Sequence, residues 1–248
     1  MRFLSYISIM VKNLDQKGIK SIVNRYDLFF IDLWGVVHNG IELYENAIDV
    51  LDNLAAAKKD FVLLTNAPRP NATVINFLKN IGLKKYFENV FTSGEAAYEY
   101  LISELDKKKF FHIGPPRDFD LFKNIENNKV LNIGDADYIL CTGLFDDQEN
   151  DLNYYKNLLL NHISKKMICT NPDLIVDRGE KREYCAGSVA KSFEEIKGKV
   201  VYFGKPHPPV YNLSKTIKNK SVLCIGDNLN TDIKGANVQN FDSLLITN

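Results

Sequence analysis

Four short segments combine residue types that could do chemistry together. Phe29-Phe30-Ile31-Asp32-Leu33-Trp34-Gly35-Val36 delivers a carboxylate into a glycine-containing loop, and Leu63-Leu64-Thr65-Asn66 ends in hydrogen-bonding side chains. Val201-Tyr202-Phe203-Gly204-Lys205-Pro206 offers one lysine, and Cys224-Ile225-Gly226-Asp227-Asn228-Leu229-Asn230-Thr231-Asp232 offers two more carboxylates. Taken singly, each has a structural explanation. Asp32 could be a surface acid in a turn, Thr65 and Asn66 could cap a helix, Lys205 could be an exposed lysine, and Asp227 and Asn228 could form a turn before a helix capped by Thr231. Together they gather three acids, one lysine and two neutral donors. Three converging carboxylates repel unless they are protonated or share a cation. Oxygen-only ligands select a hard ion, and Mg²⁺ is the expected one. Such a cation, with Lys205, Thr65 and Asn66, presents positive potential to an anion beside a free oxygen of Asp32. That arrangement suits phosphoryl transfer onto the carboxylate.

The elements that must position these residues are legible as apolar runs of strand length. Strands are expected at Leu28–Asp32, Phe61–Thr65, Val90–Thr92, Phe110–Ile113, Tyr138–Cys141, Met167–Thr170, Val200–Phe203, Val222–Ile225 and Leu244–Thr247. Segments of helical period alternate with them: Glu45–Lys59 places Ala47, Ile48, Val50, Leu51, Leu54 and Ala55 on one face, and Asn71–Ile81 stops at Gly82. This alternation is the pattern of an α/β fold with a Rossmann-like parallel sheet, whose ligands sit at the C-terminal ends of strands. All four chemical segments lie at such ends. From about residue 107 to 198 loops interrupt the pattern, at Gly114-Pro115-Pro116-Arg117 and Asp177-Arg178-Gly179-Glu180-Lys181-Arg182. The tract reads as an α/β cap domain inserted into a core formed by residues 1–106 and 199–248. Lys107-Lys108-Lys109 reads as a solvated turn. The chain stops at Asn248 straight after an apparent strand, which an open sheet would normally cover, so the C-terminus could be incomplete.

Composition narrows the function classes. Among 248 residues, 45% are hydrophobic and 25% charged, which is globular rather than fibrous or disordered. The 31 Lys+Arg cancel the 31 Asp+Glu, removing the long-range field of a dedicated nucleic-acid binder, so any anion must be held locally. No apolar stretch approaches the roughly 20 residues of a membrane span. Cys141, Cys169, Cys185 and Cys224 are scattered singly, which suggests neither a zinc site nor a disulfide framework. The N-terminal MRFLSYISIMVK is interrupted by Ser5, Tyr6 and Ser8 and shows no cleavage site. A cytoplasmic protein is expected; a homo-oligomer is left open.

From about Tyr26 to Thr247, the ordered set Asp32-Leu33-Trp34-Gly35-Val36, Thr65-Asn66, Gly204-Lys205-Pro206 and Gly226-Asp227-Asn228 followed by Asp232 resembles the haloacid dehalogenase superfamily of aspartate-nucleophile hydrolases. It is most similar to class IIA, the subgroup of NagD-type sugar or nucleotide phosphatases, pyridoxal phosphatase and 4-nitrophenyl phosphatases. Phe91-Thr92-Ser93, Thr170-Asn171-Pro172-Asp173 and Ala186-Gly187-Ser188 resemble further landmarks of that subgroup. The resemblance implies an aspartyl-phosphate formed on Asp32, a phosphoryl group held by Thr65, and charge neutralised by Lys205. It also implies a Mg²⁺ held by Asp32, the Trp34 backbone carbonyl and Asp227, with Asp232 beside them as a further ligand or as an acid behind the ligands. Asn66 and Asn228 are carried over with helix capping as an equal competitor. The implied substrate is a small phosphorylated metabolite: a sugar phosphate, nucleotide or cofactor.

One position departs from the pattern. Superfamily phosphatases carry a second aspartate two residues after the nucleophile, and Trp34 stands there. An indole shuttles no proton at neutral pH, and losing a positioned acid/base costs on the order of 10² to 10⁴ in rate. Leaving groups that need little protonation, such as 4-nitrophenolate, are then expected to be favoured over sugar alkoxides. Two rivals follow. Haloalkanoic acid dehalogenases of the same superfamily also carry an aromatic residue there, although they have no use for Mg²⁺ or for Asp227 and Asp232. A catalytically weakened protein that binds a phosphorylated ligand is the other. His38, six residues after Asp32, could replace the missing donor or be an exposed loop histidine. His207 could line the site or pack on Pro206 and Pro208, His112 and His162 show no ligand spacing, and Arg178, Lys181 and Arg182 could meet an anionic substrate or be solvated.

Overall fold

The computed structural model describes residues 13–14, 17–178, 181–214 and 217–247, with the side chains of residues 177 and 178 left aside. The N-terminal dodecapeptide lies outside them. Twelve strands appear among the described residues: β1 (Leu28–Ile31), β2 (Asp60–Thr65), β3 (Val90–Thr92), β4 (Phe110–Ile113), β5 (Lys129–Val130), β6 (Tyr138–Cys141), β7 (Lys166–Cys169), β8 (Ile175–Arg178), β9 (Lys181–Tyr184), β10 (Lys199–Tyr202), β11 (Val222–Gly226) and β12 (Asp242–Leu245). Seven α-helices accompany them: α1 (Glu45–Ala56), α2 (Asn71–Asn80), α3 (Ser93–Glu104), α4 (Leu152–Leu159), α5 (Ala186–Glu195), α6 (Pro208–Ser214) and α7 (Lys234–Gln239).

The first sheet has the order β12-β11-β1-β2-β3 and is parallel throughout. Its central strands are continuous apolar runs because helices cover both faces. Alternation sorts their side chains. Phe29, Ile31, Phe61, Leu63, Leu223 and Ile225 pack with Leu51 and Leu54 of α1 and Val74 and Leu78 of α2. Leu28, Phe30, Val62, Leu64, Val222 and Cys224 turn the other way, onto Ala96, Ala97 and Leu101 of α3, Val210 and Tyr211 of α6, and Ala236 of α7. The second sheet, β10-β7-β6-β4-β5, is also parallel. Its Phe110, Tyr138, Leu140 and Ile168 join the α3 side of the first sheet in one continuous core. Its other face packs Ile139, Cys141, Met167 and Cys169 under α4 and α5. All four cysteines are buried, and none forms a disulfide.

The α/β class and the nine expected strands are present, with three corrections. Residues Lys199–Tyr202 belong to the second sheet, where Val200 pairs with Met167 and Tyr202 with Cys169. The second sheet therefore takes in Lys199–Tyr202, and Lys205 follows that strand. A short apolar strand suits either sheet, so its composition could not assign it. Residues 177, 178, 181 and 182, expected as loop, are the paired ends of antiparallel β8 and β9, Asp177 opposite Arg182; their charges hide the two-residue period. The last strand begins at Asp242 rather than Leu244, because an edge position tolerates the exposed Asp242 and Ser243. No described helix is long and apolar enough to cross a membrane.

Candidate active site

The sheet places Asp32 directly. Its amide donates to the Ile225 carbonyl at 2.9 Å, so the residue leaves β1 beside the end of β11, where Asp227 follows Gly226. The loop after Asp32 then closes over Asp227. Gly35 sits at φ +79°, and a Cβ on it would lie 2.1 Å from Asp227 Oδ2, so this turn requires glycine. Carboxylate oxygens of Asp32, Asp227 and Asp232 all lie within 4.8 Å of one another. Between two of them Lys205 Nζ donates to Asp32 Oδ1 at 2.6 Å and to Asp232 Oδ1 at 2.7 Å. Lys205 and Asp232 are buried.

The electrostatics of this cluster follow from its count. Three carboxylates against one ammonium leave a formal surplus of two negative charges. Burial pushes the Asp32 carboxyl well above its ordinary range; Lys205 pulls it down, and Asp232 and Asp227 push it up again. Burial also raises Asp227, assisted by Asp232. Although burial lowers Lys205, Asp232 and Asp32 more than offset this and hold it charged. An oxygen-only donor set with two surplus charges fits a hard divalent cation such as Mg²⁺; the residues that would hold it are Asp32, Asp227 and Asp232.

Thr65 ends β2 and lines the same cavity, where its Oγ1 accepts from the Ala67 amide at 3.3 Å. Asn66 is no helix cap, since α2 starts after Pro70 without a side-chain cap. Its amide instead grips two parts of the site. Nδ2 donates to the Lys205 carbonyl and to Asp173 Oδ1, both at 2.9 Å, while Oδ1 accepts from the Lys205 amide at 2.7 Å. For Asn228 the capping role holds, with Oδ1 accepting from Asn230 N at 2.8 Å.

Trp34 walls the cavity. Its indole lies over Gly40, where a Cβ would come within 2.5 Å of the ring, and meets His38 edge-on at 5.5 Å. His38 is buried rather than exposed; its Nδ1 accepts from the Gly40 amide at 3.0 Å. Burial drops its pKa to about 4, so it is neutral at physiological pH and supplies no acidic proton. His207 stacks on Tyr202 at 4.5 Å, and His112 bonds Thr142 Oγ1 at 2.8 Å. Neither lines the cavity, nor does His162, Lys181 or Arg182; the Arg178 side chain is not among those described.

The cavity measures about 750 Å³ and lies between the two sheets, with Asp32, Trp34, Thr65, Asn66, Lys205 and Asp227 on one side. The second unit contributes Arg117, Asp118, Phe145, Asp173, Glu183 and Tyr184. Arg69 Nε reaches across to the buried Asp118 Oδ1 at 3.4 Å. Asp173 was not foreseen as a site residue. The signal was the segment Thr170-Asn171-Pro172-Asp173, which lies beyond the C-terminal end of β7, on the side of a parallel sheet where ligands bind.

The chain matches two family models along its length, haloacid dehalogenase-like hydrolase over residues 29–127 and HAD-hydrolase-like over residues 202–248. A crystal structure of a haloacid dehalogenase-like hydrolase from Brucella suis 1330 is 32% identical, covers 97% of this chain and 94% of its own, and superposes with a TM-score of 0.83. The 5'-nucleotidase YutF of Bacillus subtilis is 24% identical over 229 residues, covering 89% of this chain and 87% of its own length. The 4-nitrophenylphosphatase of Thermotoga maritima, 24% identical over 91% of this chain and 87% of that one, shares the fold with a TM-score of 0.72.

Proposed function

The chain belongs to the haloacid dehalogenase-like hydrolase family, and from that premise we propose that it is a Mg²⁺-dependent phosphatase of small phosphate monoesters that works through an aspartyl-phosphate on Asp32. One observation carries the reading: a carboxylate bound by a buried lysine at 2.6 Å, within an oxygen-only cluster that carries two surplus negative charges, lining a cavity of about 750 Å³. Asp32 attacks phosphorus. Lys205 fixes the nucleophile and neutralises charge, the Thr65 hydroxyl donates to a phosphoryl oxygen, and Asn66 holds the Lys205 backbone in place. When bound by Asp32, Asp227, Asp232 and the Trp34 carbonyl, Mg²⁺ supplies positive charge to the transferring group. A cavity of about 750 Å³ accommodates a sugar phosphate, nucleotide or phosphorylated cofactor. Buried thiols without disulfides suit a reducing, cytoplasmic setting.

Trp34 favours the dehalogenase reading, but halide displacement has no use for the surplus carboxylates Asp227 and Asp232. The test is a panel of 4-nitrophenyl phosphate, sugar phosphates, nucleoside monophosphates and cofactor phosphates with Mg²⁺, beside 2-chloropropionate without it. Wild type should release phosphate and bind beryllium fluoride, and Asp32→Asn should do neither. Full phosphatase activity in Asp32→Asn refutes the assignment of the nucleophile, and binding without turnover in wild type points to a ligand-binding role.

A further inference from the structure

Trp34 leaves the nucleophile without an adjacent proton carrier, and the cavity offers few groups that could replace one. The carboxylates that the second unit brings to it are Asp118, Asp146, Glu149, Asp173 and Glu183. Asp118 pairs with Arg69, Asp146 with Arg117, and Glu149 and Glu183 with Lys181, at 3.0 to 3.4 Å. Each of these four is thus committed to a cation, although burial raises the Asp118 carboxyl against the lowering effect of Arg69. Asp173 has different company. Its Oδ1 accepts from the neutral Asn66 amide at 2.9 Å, and it makes no ion pair among the described residues. Its backbone is fixed on both sides, with its amide donating to Asn171 Oδ1 at 3.0 Å and its carbonyl accepting from the Gly187 amide at 3.2 Å. Burial lifts its pKa to about 6, against the lowering effect of Asn66 and Lys205 and with further raising by Asp232 and Asp227. A group so placed can both give and accept a proton near neutrality. His38, neutral and with its Nδ1 already occupied, can do neither.

We propose that Asp173, carried on the second unit and held by Asn66, is the general acid and base of the phosphoryl transfer, in the role for which Trp34 provides no group. The inference rests on the phosphatase reading. In the first half-reaction an Asp32 oxygen bonds to phosphorus and the bond from phosphorus to the leaving oxygen breaks; its electron pair takes the Asp173 proton, and the alcohol departs. In the second, water bonds to phosphorus while the Asp173 carboxylate takes its proton. The bond to Asp32 breaks, and phosphate leaves with Asp32 ionised and Asp173 protonated again. The sum is one ester and one water to one alcohol and one phosphate. The bias toward activated esters expected from Trp34 alone is then a property of a protein lacking Asp173, not of wild type.

The experiment is kcat/KM over 4-nitrophenyl, phenyl and simple alkyl phosphates for wild type, Asp173→Asn, Asp173→Ala and Asp173→Glu. Because kcat/KM reports the steps through alcohol departure, it isolates the proton donated to the leaving group. Asparagine keeps the acceptor for Asn66 but carries no proton to give. Asp173→Asn should lose on the order of 10² to 10⁴ on alkyl esters and only a few-fold on 4-nitrophenyl phosphate, and Asp173→Glu should recover part of the alkyl activity. An equal loss on every ester assigns Asp173 to positioning and overturns the inference, as do undiminished alkyl activity in Asp173→Asn or a wild type that already fails on alkyl esters. A wild type that turns over no phosphate ester overturns the phosphatase reading itself, and this inference with it.

Discussion

Mg²⁺ should stabilise this protein, and the stabilisation should grow with pH. The cluster of Asp32, Asp227 and Asp232 carries three carboxylates against Lys205 alone, and burial raises the Asp32 and Asp227 carboxyls above their unfolded values. A carboxyl raised in the folded state holds a proton that the unfolded chain releases. Its contribution is therefore fully present below the unfolded pKa of about 4 and is lost as pH rises through the folded value. A bound divalent cation reverses the loss by replacing the protons. At a hundredfold excess over Kd the gain is about 2.7 kcal/mol, which for a chain of this size raises Tm by about 5 to 10 °C. The assay is thermal unfolding during Mg²⁺ titration at constant ionic strength, run at about pH 8 and about pH 5. The rise should be full at the higher pH and small at the lower, where protons compete for the same oxygens. Asp227→Asn removes one ligand and one of the two surplus charges, so most of the rise should vanish. A Tm at about pH 8 that ignores millimolar Mg²⁺, or an undiminished rise in Asp227→Asn, refutes the reasoning.

Three further outcomes are expected. Lys205→Met leaves Asp32 and Asp232 buried without their shared cation, at a cost of about 3 to 5 kcal/mol; calorimetry should show a Tm lowered by on the order of 10 °C, with part of the loss recovered in acid or in Mg²⁺. Gly35→Ala puts a methyl group 2.1 Å from Asp227 Oδ2 at φ +79°, so Asp227 must swing away, and the Mg²⁺-dependent rise in Tm should disappear along with turnover. Trp34→Asp should change alkyl-ester kcat/KM little by itself yet restore it in an Asp173→Asn background; no restoration in a folded, Mg²⁺-stabilised double variant counts against a shared role for the two positions.

The chemistry at the edge of the first sheet was legible in the sequence because short apolar strands end in conspicuous polar residues. Asp32, Thr65 and Asp227 need only the parallel topology of that sheet to converge, and the alternation of apolar runs with helical periods supplies it; Lys205 follows β10 of the second sheet, so its place beside Asp32 depends on how the two sheets pack. What was not legible depends on partners. The run at Val200 suits either sheet until the register with β7 is known. Asn66 looks like a cap until Lys205 and Asp173 are found against its amide. His38, in a polar loop, gives no sign that Trp34, Phe77 and the Gly40 turn will bury it and empty its charge. The hairpin of β8 and β9 escaped because charged side chains at Asp177, Arg178, Lys181 and Arg182 erase the alternation on which strand reading depends.

The exchange of a carboxylate for Trp34 has a structural consequence once Asp173 carries the proton. The nucleophile then stands on one sheet and the acid on another, and their separation is set by how firmly the two units are joined. Leu28, Phe30, Val62 and Leu64 of the first sheet share a single core with Phe110, Tyr138, Leu140 and Ile168 of the second, with α3 between them. Ser93, at the start of α3, donates to the Thr170 carbonyl at 2.6 Å and lies 3.0 Å from that of Ala67, tying the loop after β2 to the end of β7. Asn66 and Asp173 follow those same two strands. On the proposal that Asp173 carries the proton, this packing and these hydrogen bonds set its place against Asn66, and a preorganised acid costs nothing in reorganisation at the moment of reaction.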